Sequence, residues 1–275
     1  MSIYPHTGSR KKNAQRGQPH TYRYLSLEKE STFWEHMEVL RWSIARCVGV
    51  VLLFFAAAFA IMPRIFDTYI LGAASSDFFI FNLPGLSMGT FAPLEIININ
   101  LATQFLTHIS TSFWLAVTVA FPYIMFEAWR FISPALYSNE RRSTLFAFTF
   151  GTAMFYTGCT VGYCIVFPVT LNFLARYQLS AAVTNSISLD SYMSTFLLII
   201  FIMGIMFELP LLIWLLSRTG TVNRQSLTKY RRHAIVALMV LAAIITPTGD
   251  PFTLMVVFIP LYALYELGIL MARRT

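Results

Sequence analysis

The sequence predicts an all-α polytopic membrane protein, a bundle of six transmembrane helices with both termini on the cytoplasmic side. Three observations predict it. The 275 residues are 56% hydrophobic and 12% charged, with a mean hydropathy of +0.61, whereas soluble domains carry roughly 25% charged residues. Apolar stretches able to cross about 30 Å of hydrocarbon recur along the chain. The basic residues alternate between connections: 18 of the 20 Lys and Arg fall on one side of a six-span layout and 2 on the other. Lysine and arginine are retained on the cytoplasmic side, so the richer side is cytoplasmic.

Residues 1–30 hold Arg10, Lys11, Lys12, Arg16, Arg23 and Lys29 and no apolar run. They read as a basic, disordered cytoplasmic tail without a cleavable secretory signal. An organelle transit peptide is the minor alternative. Residues 31–275 read as one six-span membrane domain, with spans at about 43–62, 101–126, 145–174, 191–216, 234–245 and 252–271. A long outer loop covers about 64–100, punctuated by Pro84, Gly85, Gly89 and Pro93. The fifth span is short. Pro122, Pro168, Pro210 and Pro260 lie inside spans; each removes a backbone donor and favours a kink, which predicts a curved bundle of kinked helices.

The net charge of +7 orients the chain in the lipid bilayer and does not mark a nucleic-acid partner. Cys47, Cys159 and Cys164 are too few and too scattered for a metal site, and they read as packing residues. The five His are dispersed, and no Gly-rich phosphate loop is present. Neither a cofactor nor an enzyme activity is expected. Gly158 and Gly162 have the small-residue spacing of close helix packing.

With only 13 acidic residues, each can be weighed. Glu35 and Glu38 lie in TFWEHMEVLRW, where Phe33, Met37, Leu40 and Ile44 recur at the spacing of an amphipathic helix. Thr32 and Glu35 form a capping box. Glu38 is open between a weak pair with Arg41 and a ligand role toward a cationic partner. Glu140 lies among Arg130, Arg141 and Arg142, either favouring a helix start capped by Asn139 or holding a cationic peptide. Glu208 sits in MFELP, deep in the fourth span. A carboxylate there costs at least ~2.5 kcal/mol unless it is protonated, wetted or partnered, and its default reading is functional. The alternative is a hydrogen bond to backbone freed by Pro210. Glu266 reads as snorkelling to the interface, Asp250 as the cap before Pro251, and Asp190 as opening the fourth span.

Taken in order, several segments resemble the TatC family, the multispanning core of the twin-arginine protein translocase. They are FPYIMFEAWRFISPALYSNERR, FPVTLNFL, MFELP, YRRHAIVALMVLAAIITPTGDPFT and IPLYALYELGI, within a match over roughly residues 33–268. The resemblance implies a receptor that binds signal peptides with paired arginines and moves folded proteins across the bacterial cytoplasmic membrane using the proton gradient. It implies single-span TatA and TatB partners and assembly with further copies of itself. Carried over by motif, the loop carboxylate is Glu140 and the intramembrane carboxylate is Glu208. The same binding surface takes in Glu38, Glu35, Arg41, Phe131, Pro134, Leu136 and Tyr137. The first helix departs from the family. Where the family often reads His-x-x-Glu-Leu-Arg, this chain has Val39 at the acidic position and Glu38 one residue earlier, about 100° around the helix. A secondary transporter using Glu208 for a small solute is the rival reading. It would favour paired halves with broken helices, and no internal repeat is visible.

Overall fold

The computed structural model describes residues 20–74, 95–132, 141–180, 185–246 and 249–272. The chain divides into two units, residues 1–45 and 46–275. In the first, the described backbone is the opening stretch of α1 (His20–Ile65), which starts inside the segment that composition assigns to a tail. The part of α1 in the second unit, residues 46–65, rises about 30 Å at 1.5 Å per residue, enough to cross the hydrocarbon.

The second unit continues α1 through a π-helical turn (Phe66–Ile70) and a 3-10 turn (Leu71–Ala74). Then come β1 (Ile96–Ile97), α2 (Thr103–Ile132), α3 (Arg141–Val161), a π-helical stretch (Gly162–Val166) and α4 (Phe167–Arg176). After β2 (Ile187–Ser188) follow α5 (Leu189–Met206), α6 (Leu209–Arg218), α7 (Arg224–Lys229), α8 (Arg231–Ile245) and α9 (Pro251–Met271). Among the described residues, five stretches are long and apolar enough to cross a membrane: Met37–Ala73, Thr103–Phe131, Phe146–Arg176, Leu189–Arg218 and Pro251–Met271. They coincide with five of the six expected spans. The remaining one is α8, whose 15 residues rise only about 22 Å.

The prolines divide into two groups. Pro63, Pro122 and Pro260 lie inside regular α-helices, whereas Pro168 stands in the first turn of α4 directly after the π-helical stretch and Pro210 in the first turn of α6 after a two-residue turn, each where the i→i−4 ladder has already shifted. Pro63 leaves the carbonyl of Phe59, four residues back, without its helical donor. His108 Nε2 on α2 lies 2.9 Å from that oxygen, and the imidazole stacks on the Phe59 ring with centroids 3.9 Å apart. A carbonyl only accepts, so Nε2 carries the proton and restores the lost bond from a neighbouring helix.

Close packing of α3 on α5 centres the core. A Cβ built on Gly158 would fall 2.6 Å from the Met203 carbonyl, and one on Gly204 would fall 2.7 Å from Cys159 Sγ. Only hydrogen fits at either position, as the spacing of Gly158 and Gly162 predicts. Around this contact are buried Phe155, Phe167, Ile199 and Met203, with Phe121 stacked on Phe155 at a centroid distance of 3.5 Å. Tyr192 OH donates to the Ile70 carbonyl at 2.5 Å and Tyr163 OH to the Tyr69 carbonyl at 2.7 Å, tying the turn that follows α1 to α5 and the π-helical stretch. The short parallel pair β1–β2, in register at Ile96 with Ile187, ties the connections ahead of α2 and α5.

Caps and pairs sharpen several sequence readings. Asp250 caps α9, accepting the Thr253 N–H at 2.7 Å. The cap of α5 is Ser188, which accepts from Ser191 N, and Asp190 lies in the first turn. Glu266 does not simply reach for the interface: Arg231 Nη2 donates to its Oε2 at 2.6 Å and Tyr262 OH to its Oε1 at 2.9 Å, joining α8 to α9.

Candidate functional site

The last turns of α2 carry a charged cluster. Helical periodicity puts Tyr123, Glu127 and Arg130 on one face, four and three residues apart. Glu127 Oε1 accepts from Tyr123 OH at 3.3 Å and from Arg46 Nη1 of α1 at 3.4 Å, and Arg130 Nη1 stands 3.9 Å away. The carboxylate is sheltered, with its side chain 4% exposed, while Arg46 and Arg130 are 46% and 62% exposed. An isolated charge at that burial would be prohibitive, and the neighbouring cations offset that cost. Sequence reasoning missed Glu127. Hydropathy ends the second span at Phe126 and leaves Glu127 in a connection, whereas the helix continues to Ile132. The available signal was a tyrosine four residues before and an arginine three after a single acid in an otherwise apolar stretch.

The residues predicted to bind a signal peptide fall as follows. Glu38 and Arg41 are exposed on α1, with the Arg41 guanidinium 5.9 Å from the centroid of the Trp42 ring, within cation–π reach. Glu35 lies on the same helix. Phe131 is half-buried in the last turn of α2. Pro134, Leu136, Tyr137 and Glu140 lie outside the described residues.

Glu208 occupies the break between α5 and α6. Pro210, with no N–H, interrupts the hydrogen-bond ladder, and α6 resumes with Leu212 N donating to the Glu208 carbonyl at 3.0 Å. Both carboxylate oxygens are buried without a hydrogen-bond partner among the described residues, so the freed backbone near Pro210 does not receive this side chain. The carboxyl lies toward α3. A Cβ on Gly151 would fall 3.1 Å from Glu208 Oε2, 2.8 Å from Leu211 Cδ2 and 3.2 Å from Met125 Cε of α2. The absence of a side chain at Gly151 is therefore what accommodates the carboxyl.

Long apolar helices interrupted by π turns and prolines, packed through glycine, with one carboxylate buried at a helix break and another paired at a helix end, define a polytopic helical membrane protein of the transport class. The chain belongs to the TatC family: the family described as Sec-independent protein translocase protein (TatC) matches residues 35–260. A Deinococcus radiodurans Sec-independent protein translocase protein TatC is 39% identical over 185 residues, 67% of this chain and 68% of the relative. The TatC of a Blattabacterium species from Periplaneta americana is 34% identical over 88% of this chain and 95% of its own length. A crystal structure of a twin-arginine translocase receptor, TatC, in DDM aligns with a TM-score of 0.72 at 28% identity, over 87% of this chain and all of that one.

Proposed function

We infer that this chain is the receptor subunit of a twin-arginine translocase. It binds signal peptides with two consecutive arginines at its cytoplasmic face and acts in exporting folded proteins across the bacterial cytoplasmic membrane, using the proton gradient. One observation carries this reading: the likeness to a solved twin-arginine translocase receptor over 87% of the chain. In this reading α8 is the fifth of six spans, both termini are cytoplasmic, and the face holding 18 of the 20 basic residues also holds Glu38 and Glu140. Permanently charged arginines are held best by carboxylates in a partly dry groove, through forked, charge-assisted hydrogen bonds. TatA- and TatB-type single-span subunits and further copies of the chain complete the assembly. Glu208, sheltered in the bilayer, serves transport or partner assembly and not signal recognition.

The test is site-specific cross-linking of a twin-arginine peptide to the membrane-embedded protein. Glu140→Ala is expected to reduce capture by roughly tenfold or more, the size of effect seen when one partner of a buried charge pair is removed, while the protein still accumulates in the membrane. Glu35→Ala and Glu38→Ala in the same assay decide which of the two replaces the acid absent at Val39. Undiminished capture by Glu140→Ala sinks the assignment.

A further inference from the structure

We propose that the cavity between the end of α4 and the start of α9 seats the headgroup of a phosphoethanolamine lipid, held by Asn172 and Arg176. The inference goes beyond the receptor reading and takes from it only the six-span layout, which puts this cavity at the outer face of the bilayer.

The cavity encloses about 470 Å³. Val169, Asn172, Phe173 and Arg176 of α4 line it, with Tyr177 just beyond and Phe252 of α9 opposite. The Phe173 and Phe252 rings stack, centroids 4.3 Å apart, and make one wall. Asn185 Nδ2 donates to the carbonyls of Tyr177 at 2.9 Å and Ala175 at 3.3 Å, which fixes the chain where α4 ends. Val169 and Asn172 are buried, whereas Arg176, Tyr177 and Phe252 are exposed. The cavity therefore has a dry floor and a rim that meets its surroundings.

Asn172 is the group that calls for a ligand. It is 6% exposed, and its Oδ1 is buried without a hydrogen-bond partner among the described residues. A buried amide oxygen in that state is destabilising until a donor reaches it. An amide oxygen only accepts, so the missing group carries N–H or O–H. Arg176 lies four residues on, on the same helix face. It engages other groups of the chain as well, and its five donors allow it to take a phosphate oxygen besides. In the six-span layout it is one of two basic residues outside, with Arg64. An arginine kept there against the charge bias is explained by an anion at headgroup depth.

A donor for Asn172 and an anion for Arg176, at positions whose Cβ atoms lie about 5–6 Å apart, describe a zwitterion. Phosphoethanolamine carries its ammonium one ethylene unit from its phosphate and answers both. Phosphocholine has the same phosphate and the same charges, but its quaternary nitrogen has no N–H and cannot serve Asn172.

That difference supplies the experiment. The full chain is reconstituted in nanodiscs containing equal parts of phosphatidylethanolamine, its N,N-dimethyl derivative and phosphatidylcholine. It is then extracted in mild detergent, and the lipids that stay bound are counted by native mass spectrometry. The wild type is expected to retain phosphatidylethanolamine over phosphatidylcholine by roughly fivefold, the factor of one net hydrogen bond. The dimethyl lipid is nearly as bulky as phosphatidylcholine yet keeps one N–H, so it is expected to behave like phosphatidylethanolamine. Asn172→Leu is expected to abolish the preference while melting no lower than the wild type, since it removes an unpartnered amide. Arg176→Gln is expected to lower retention of all three lipids by roughly two- to fivefold. Equal retention of the three lipids by the wild type would mean that water satisfies Asn172, and overturns the proposal. So does a dimethyl lipid that behaves like phosphatidylcholine, which would make headgroup size the cause, a preference that survives Asn172→Leu, or undiminished retention in Arg176→Gln. The wild-type series decides even where a variant fails to accumulate. Retention is read without reference to topology, so failure of the six-span layout is distinguishable from failure of the site.

Discussion

Glu208 carries two buried oxygens that no donor meets among the described residues, and a group in that state is destabilising by about 1–3 kcal/mol. A side chain of similar length without the carboxyl relieves that penalty. Glu208→Met is therefore expected to raise stability by about 1–3 kcal/mol, read as a higher melting temperature in detergent. Export of a twin-arginine reporter is expected to fall about tenfold or more, with peptide capture unchanged. Stability and function then move in opposite directions, as expected for a residue retained for its chemistry. A lower melting temperature would mean that the carboxyl has a partner and is structural. This residue was legible in the sequence because one acid stands out in MFELP, deep within an apolar span. Glu127 was not, although it is the more highly charged environment. Hydropathy averages over a window, so it trims a helix where charge begins. Here the helix runs six residues past Phe126, and its buried face collects an arginine from α1 that no local pattern announces.

At the scale of the helices, the sequence showed where prolines fall but not what each does. Pro122 and Pro260 stay within regular α-helices, whereas Pro168 follows a π-helical stretch and Pro210 a two-residue turn. The difference depends on what neighbouring elements can donate or accept, which is tertiary information. Pro63 shows the dependence most directly, since its missing N–H is replaced by His108 on another helix. A double-mutant cycle tests this. His108→Ala is expected to cost about 1–3 kcal/mol, because it leaves the Phe59 carbonyl without a donor. In a Pro63→Ala background the helix supplies its own N–H, and the same substitution is expected to cost only what the lost ring stacking contributes, about 0.5–1.5 kcal/mol. Thermal melts of the four proteins give the coupling. Additive losses would show that His108 packs without substituting for the helical bond. The glycine contacts, by contrast, were legible, because residues 158 and 162 lie one turn apart and need no partner to be recognised as a smooth face.

For the whole molecule, the firmest inference from sequence was orientation, since charge placement acts on the entire chain and is insensitive to exact helix ends. The number of crossings is more demanding, and it turns on α8. Its 15 residues supply about 22 Å of helix against about 30 Å of hydrocarbon, a mismatch that local thinning of the bilayer can absorb at a fraction of a kcal/mol per Å. The charges argue that it crosses. Arg231 and Arg232 stand at its start, and no Lys or Arg occurs between Ile245 and Pro251. Alkaline phosphatase folds only outside the cytoplasm, so fusions report the side. A fusion after Val222, between α6 and α7, is expected to be inactive, one after Gly249, between α8 and α9, active, and one after Ala272 inactive again. If α8 lies along the interface instead, the first two fusions agree and the third alone differs. That outcome would put Arg273 and Arg274 outside, against the charge bias that orders every other connection. The three fusions therefore test the span count and the orientation rule together: alternation across all three is the pattern that six crossings require.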